Sequence, residues 1–472
     1  RTEQMVVERR NRESGGEHQV EETHPLNEVV HRRSVYAGAE SGRFRCIGGT
    51  STRWGGAMIP FLKADLEETG GDAWPLSHAE LLAYRRDVET LFGLPGDSYE
   101  APELATPTDG RPLSFTPRLA SWPSFARRNV AALLDARIRA ASGPEIWLHA
   151  TATGFGFAPD GRLDSVTAQA PNGRLVTVRA QETVIAAGAI ESTRLLLLAD
   201  RQHDDQIFAP DDVLGRYFHD HLSVPVAEIE PYDRTALNRV AGFRFAGGGM
   251  RNLRFEPSEA KEVRAQIPAG FAHIKFANRE PTAFDAVRDV YRRLQQRRLP
   301  GPEAVLPLIR SAPWLARAAW WRYCEHRLLY PDNAVIELHM VIEQTPRPDN
   351  CILLSDERRD RFDQPLAVID WAVAPQDEAR LTRSTDLFID FWRGSTLARL
   401  GEIRRRPGGE AEQELAVGGG IYHPGGSTRM GRTLKDGVLD SELRTFRAPN
   451  LSVDFPAAIL PHRNINFAVR GI

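Results

Sequence analysis

Glycine-rich ends around a strand-rich middle predict a mixed α/β chain, α+β overall, in which one discontinuous domain is interrupted by a second. Three observations carry that expectation. Residues 36–62 are dense in glycine and small residues, and glycine becomes dense again from Gly418, in Gly418-Gly419-Gly420 and Gly425-Gly426. Residues 147–157, 163–169 and 174–180 alternate and are separated by Asp160-Gly161 and Asn172-Gly173, two hairpin signals that mark a three-stranded meander. Residues 183–187 form a short apolar strand that passes through Gly188 into a helix over 191–199. The expected division is 1–225 with 416–472 in the first domain, and 226–415 in the second.

The remaining elements follow in order. Residues 4–8 are a short apolar run ending in an acid, followed by a polar, loop-like stretch. Leu81, Tyr84, Val88, Leu91 and Phe92 have helical spacing within 75–94, and Ala126, Val130, Leu133, Leu134 and Ile138 give a second helix over 126–141. Strands are expected at 239–246, 269–276, 334–343 and 366–371. Between them, 284–330 reads as helices broken at Pro300, Pro302, Pro307 and Pro313. A further helix runs 376–399.

Composition excludes several classes. The 472 residues are 42% hydrophobic and 26% charged, an ordinary globular balance and long enough for two or three domains. A net charge of -3 argues against a protein built to neutralise nucleic-acid phosphates. Cys46, Cys324 and Cys351 are too few and too scattered for a disulfide framework or a Cys-based metal site, so no metal is expected. No apolar stretch reaches membrane-spanning length, membrane association is not expected, and cysteine scarcity places the chain in the cytoplasm. Lysine occurs only at Lys63, Lys261, Lys275 and Lys435, an arginine skew that reads as a GC-rich bacterial gene.

Four segments carry chemistry. Gly48, Gly49, Thr50, Ser51, Thr52, Arg53, Trp54, Gly55 and Gly56 combine glycine with small hydroxyl residues. Such a run offers backbone N–H groups and close approach to a phosphate or flat heterocycle. In the strand–helix joint at Ala187 and Gly188, the helix start can face an anion or ligand. His219, Asp220 and His221 suggest metal binding by spacing alone. With no third ligand at a recognised distance, structural or hydrogen-bonding roles are preferred. His423 precedes Pro424, Gly425 and Gly426, so it sits on a stiff backbone with little bulk beside it. That suits a general base that must meet both a substrate hydroxyl and a planar cofactor.

In this order, GGTSTRWGG, AAGAIESTRLLL, GRYFHDH and HPGGSTRMG with the later GVLDSELR and APNLSV resemble the glucose–methanol–choline (GMC) family of FAD-dependent oxidoreductases. Residues 343–371 resemble that family's way into its substrate-domain sheet. The branch that looks most similar contains pyranose oxidase and the gluconate and fructose dehydrogenases. The resemblance implies a doubly wound FAD-binding domain, discontinuous in sequence, and a substrate-binding domain of antiparallel sheet and helices. It implies FAD, a sugar, polyol or related alcohol as substrate, and dioxygen, a quinone or a cytochrome as electron acceptor.

By the same resemblance, residues 5–8 are the second strand of the dinucleotide fold and Glu8 holds the adenosine ribose. The GxGxxG turn that should precede it is absent, and both ends of the chain look clipped. Gly48, Gly49, Thr50, Ser51, Trp54, Gly55 and Gly56 would line flavin and pyrophosphate, Thr151 would meet adenine, and Ala187 and Gly188 would complete the cradle. Arg53 stands where relatives carry a histidine bonded to flavin, which implies non-covalent FAD. His423 matches the catalytic histidine. Its polar partner is Asn464, Asn466 or His462, and Asn464 is favoured. Alternatives are a lyase of the same fold with non-redox FAD, or a flavin-free scaffold. The arginine- and tryptophan-rich stretch 292–322 reads first as helices over the substrate entrance and second as a docking face.

Overall fold

The computed structural model describes residues 6–10, 17–21, 24–66, 74–278, 308–407, 414–415 and 423–454, with isolated positions between 283 and 306. Among these residues the largest assembly is a seven-stranded sheet. Its strands run in the order Arg244–Ala246, Gly249–Pro257, Gly270–Ala277, Val335–Glu343, His221–Pro231 and Gly401–Arg405, with Phe115–Trp122 also paired to Gly249–Pro257. Every pairing in it is antiparallel.

Alternation gives this sheet two unlike faces. Leu253, Phe255, Ala272, Ile274, Phe276, Ile336, Leu338 and Met340 point into the main core. Helix Pro375–Arg393 covers them, and its Phe388 meets Phe115 and Phe255 edge-on with ring centroids 5.1 and 5.3 Å apart. Burying each such side chain contributes about 1.5–3 kcal/mol. The opposite face carries polar residues, among them Arg254, His273, His339 and His221.

A second core joins the meander Thr151–Phe157, Leu163–Gln169 and Leu175–Val178 to helix Ala189–Arg201 and to residues 430–453. Parallel pairing between strands, which a doubly wound sheet requires, occurs at two places among the described residues. Thr183–Ile185 lies beside Leu451–Val453, and Val29–Arg33 beside Pro365–Trp371. Strand Val6–Arg10 pairs antiparallel with Glu17–Glu21; Met5 and the side chain of Glu8 lie outside the described residues.

Several elements differ from expectation. Residues 239–246 were expected as one strand. Asp233 instead caps a helix, Arg234–Ala241, by accepting from Thr235 N and Ala236 N, and only Arg244–Ala246 is extended. The single helix expected over 126–141 is two short ones, Val130–Leu133 and Asp135–Ile138, parted at Leu134. Strand His221–Pro231 runs through position 225, and Phe115–Trp122 joins a sheet otherwise built from 221–405. Within 284–330, helix Ala312–Tyr323 is described, with Trp320 exposed and Trp321 buried. No helix of the described residues is long and apolar enough to cross a membrane.

Candidate active site

The His423 turn is wound against the segment before strand His221–Pro231. His219 N donates to Gly425 O and Gly425 N to His219 O, at 3.1 and 2.9 Å, closing a two-way bridge. Gly426 has φ 84°, and a Cβ there would lie 2.2 Å from Tyr217 O and 2.5 Å from His219 Nδ1. The glycine is therefore required both by its left-handed backbone and by contact. Gly426→Ala is expected to cost about 1–3 kcal/mol, read as a lower denaturant midpoint. An unchanged midpoint refutes this packing.

Asp220 is the hub. It is fully buried, and its Oδ2 accepts from the Tyr36 hydroxyl at 2.6 Å and from the His423 backbone N–H at 2.9 Å. Its Oδ1 accepts from His221 N at 2.6 Å and lies 3.2 Å from His221 Nδ1. Burial pushes its carboxyl above the usual range, and the neighbouring His221, the Tyr36 hydroxyl and the two backbone donors oppose that push. One carboxylate thus fixes the backbone of both histidines. Their rings stack, with centroids 4.9 Å apart and planes at 25°.

His423 is held neutral. Desolvation lowers its pKa well below the ordinary value, and His221 and Arg254 add repulsion. Its Nδ1 is buried and has no hydrogen-bond partner among the described residues, which leaves Nε2 as the nitrogen to meet a substrate. Ligand atoms of Asp220, His221 and His423 lie within 4.8 Å of one another, the spacing of a metal site. Both Asp220 oxygens are already committed to Tyr36 and backbone donors, so the carboxylate works here as an anchor.

The expected motifs come together in part. Ser427 Oγ is 2.7 Å from Thr193 Oγ1, and Gly215 N donates to Ser427 O at 2.8 Å, which ties the His423 turn to helix Ala189–Arg201 and to residue 215. Of the two histidines read as structural, His219 fits that reading, with Nδ1 2.6 Å from Tyr217 O. His221 does not, because its ring forms a wall of the site. Asp220 is likewise a residue of the site. The signal for both was present in the His-Asp-His spacing, but the third member lies 203 positions from Asp220.

The glycine run 48–56 forms the turn Gly49–Thr52 beside residues 122–131. The N–H groups of Ser51, Arg53 and Trp54 are bonded within it and that of Gly49 to Cys46 O, so fewer backbone donors face outward than its composition suggests. Ser51 Oγ accepts from Val130 N at 3.1 Å. Trp54 donates Nε1 to Arg128 O at 2.7 Å and packs edge-on against Phe92. Thr50 is exposed, as is Gly55, whose Cβ would meet Trp122; Gly56 and Gly48 have left-handed backbone. Thr151 opens the meander, paired with Gln169.

Whether these residues suit FAD is tested best at the joint Ala187-Gly188. Among the described residues nothing lies within 4 Å of a Cβ placed on Gly188, whose φ is 79°, and Ala186, Ala187 and Gly188 are exposed. Val184, in the strand before, is 65% exposed although apolar. Open space and uncovered apolar backbone at a helix start fit a bound ligand. The anion expected there is supplied by the chain itself. Asp454 accepts from Ser192 Oγ at 2.9 Å and from Gly188 N, with its carboxyl pushed up to about 6 by burial. A carboxylate at this point welcomes hydroxyl groups and repels phosphate, so the joint fits the hydroxyl-bearing chain of FAD. Asn464, Asn466 and His462 lie outside the described residues.

Comparison with known proteins agrees with this architecture. Residues 346–462 match the GMC oxidoreductase family. A formate oxidase structure superposes with a TM-score of 0.50 at 14% identity, covering 90% of this chain and 82% of its own. A formate oxidase variant from Aspergillus oryzae RIB40, studied for FAD modification, gives 0.49 at 14% identity, with 98% and 85% covered. Pyridoxine 4-oxidase from Mesorbium loti gives 0.42 at 17% identity; 73% of this chain aligns, over 60% of that enzyme's length. No curated protein sequence matches the chain. The fold is a mixed one with several antiparallel sheets, as in GMC oxidoreductase structures. The match over residues 346–462 is to the C-terminal domain of the GMC oxidoreductases.

Proposed function

We propose that the protein oxidises a carbon bearing a hydroxyl group, as in an alcohol, sugar or polyol, using non-covalent FAD, with His423 as base. The observation that carries this reading is His423 itself: neutral, desolvated on Nδ1, stacked on His221 and fixed through its backbone by buried Asp220. When bound, the flavin supplies the acceptor for hydride.

The chain's own residues do the rest. With the proton on Nδ1, His423 Nε2 takes the hydroxyl proton while the carbon becomes a carbonyl carbon. His221 holds the ring plane, and Asp220 holds the turn. Asn464 stays in this reading as the group that aims the hydroxyl, being neutral and able both to donate and to accept. Gly188 and Asp454 would hold the hydroxyl chain of the cofactor, with the turn at Gly48, Gly49, Thr50 and Ser51 and the backbone at Thr151 beside other parts of it.

Arg53 supports the non-covalent attachment. It is exposed, with its guanidinium 5.5 Å from the Phe44 ring centroid, and arginine cannot form a histidyl–flavin bond. Two measurements test the proposal. Anaerobic mixing of flavin-loaded protein with alcohols should bleach the flavin absorption, and an oxidised spectrum unchanged by every alcohol and sugar tried would refute the activity. Acid precipitation should release the flavin into the supernatant; a yellow pellet refutes non-covalent attachment.

A further inference from the structure

Helix Ala312–Tyr323 turns an apolar side outward. At about 3.6 residues per turn, positions 312, 316, 319, 320 and 323 fall on one face, and Ala312, Ala316, Ala319, Trp320 and Tyr323 are all exposed. Trp320 is 61% and Tyr323 74% exposed. Trp321 lies on the other side and is buried, with the Arg239 guanidinium 5.2 Å from its ring centroid. Arg327 N donates to Trp321 O and Phe245 N to His326 O, at 2.9 and 2.8 Å, so the end of the helix is tied to the edge of the large sheet. A single exposed apolar side chain is ordinary. A stripe with two aromatics on the outer side of a fixed helix marks a contact surface.

The edges of the stripe are basic. Arg317 and Arg322 flank it on opposite sides and Arg310 precedes it, all three exposed. Among the described residues 308–324 there is no acid. The Arg322 guanidinium is held 3.6 Å from the Phe245 ring centroid, which fixes its charge at the rim. Arg317 reaches Asp332 at 3.4 Å, but both side chains are exposed, and such a pair contributes little in water. Two copies of this face would set one basic rim against another, which disfavours self-association. The alanines between the aromatics offer neither knob nor pocket to an interlocking partner. A planar layer of phosphates over hydrocarbon matches every part: tryptophan and tyrosine settle at headgroup depth, alanine allows close approach, and arginine meets phosphate.

We propose that helix Ala312–Tyr323 docks the protein on an anionic lipid surface, with Trp320 and Tyr323 in the headgroup layer and Arg310, Arg317 and Arg322 on the phosphates. Docking of this kind needs no spanning helix, so it stands apart from the expectation drawn from the lack of a membrane-length apolar stretch. It is also independent of the reaction at His423.

The flavin-loaded full chain should co-sediment with vesicles of phosphatidylcholine containing about one third phosphatidylserine. Pure phosphatidylcholine vesicles should carry down far less, and added salt should weaken the binding. Trp320→Ala combined with Tyr323→Ala should lower the partition coefficient about tenfold or more, and Arg310→Gln about fivefold. Both aromatics are exposed, so the melting midpoint should stay near that of the wild type. Without any variant, brominated lipid in the anionic vesicles should quench part of the wild-type tryptophan emission. Absence of quenching, equal recovery on the two kinds of vesicle, or a partition coefficient untouched by the aromatic changes overturns the proposal. A lipid-free dimer in sedimentation velocity that the aromatic changes dissolve assigns the face to a second copy and overturns it too. Binding to soluble polyglutamate as tight as to vesicles assigns the face to an acidic protein, with the same consequence.

Discussion

His423→Ala is expected to slow flavin reduction by about 10²–10⁴, the span general-base catalysis supplies, while flavin content stays near that of the wild type. The separation of effects follows from where the residue sits. Its backbone is held by Asp220 and its turn by the bridge between His219 and Gly425, neither of which needs the imidazole. Removing the ring therefore deletes the base and leaves its scaffold. Retained rate with lost flavin would make the residue structural.

The pH dependence has a definite sign. His423 is depressed well below 6.5 by burial, so it stays unprotonated and competent through neutral pH, and the acid limb of the reduction rate lies below the ordinary histidine range. The unfolded chain takes up a proton at about 6.5 that the folded one refuses. The stability linked to this residue is therefore present above that pH and falls as pH drops toward the lowered value. His423→Ala should remove that part of the slope, measured as denaturant midpoints between neutral and acid pH.

Asp220→Asn is the second large effect. An amide offers one acceptor where the carboxylate offers two, yet donors approach both oxygens: Tyr36 and His423 N at Oδ2, His221 N at Oδ1. With the amide NH₂ turned toward His221 N, two donors face each other at a buried point. Stability should fall by about 1–3 kcal/mol, the cost of an unsatisfied buried group. The rate of flavin reduction should fall by roughly 10² through misplacement of His423, with substrate KM changing much less. Tyr36→Phe removes only one of these bonds and should cost about 0.5–1.5 kcal/mol. A fully active Asp220→Asn would show that the hub does not position the base.

What was legible in the sequence was local. The His423 turn, the joint at Gly188 and the glycine run each announce themselves through glycines whose backbone or contacts tolerate nothing larger, and such constraints are written within a few residues. The meander was legible for the same reason: its hairpins turn at Asn172-Gly173 and Asp160-Gly161, and the strands follow. Strand Phe115–Trp122 was not foreseen. Its partner lies some 130 positions away, and buried Arg118 breaks its apolar pattern in order to meet Glu256. Residues 239–246 read as one strand from their own composition, whereas the helix that takes in 239–241 begins upstream at the Asp233 cap. Asp220 and His221 are not legible as site residues in the sequence, because their roles depend on a residue far along the chain, which periodicity cannot see.

That distance has a consequence for how the protein comes into being. The bond from His423 N to Asp220 spans 203 residues, and ribosomes add about 5–20 residues per second. For roughly 10–40 s on that scale, a nascent chain holds Asp220 with Tyr36 and His221 available but no His423 to complete the hub. During that interval the carboxylate lacks one of its three donors, which favours keeping it in water and delaying the burial of strand His221–Pro231. The reactive centre therefore closes only once residue 423 has been made, and a translation product that ends before it cannot carry out chemistry there.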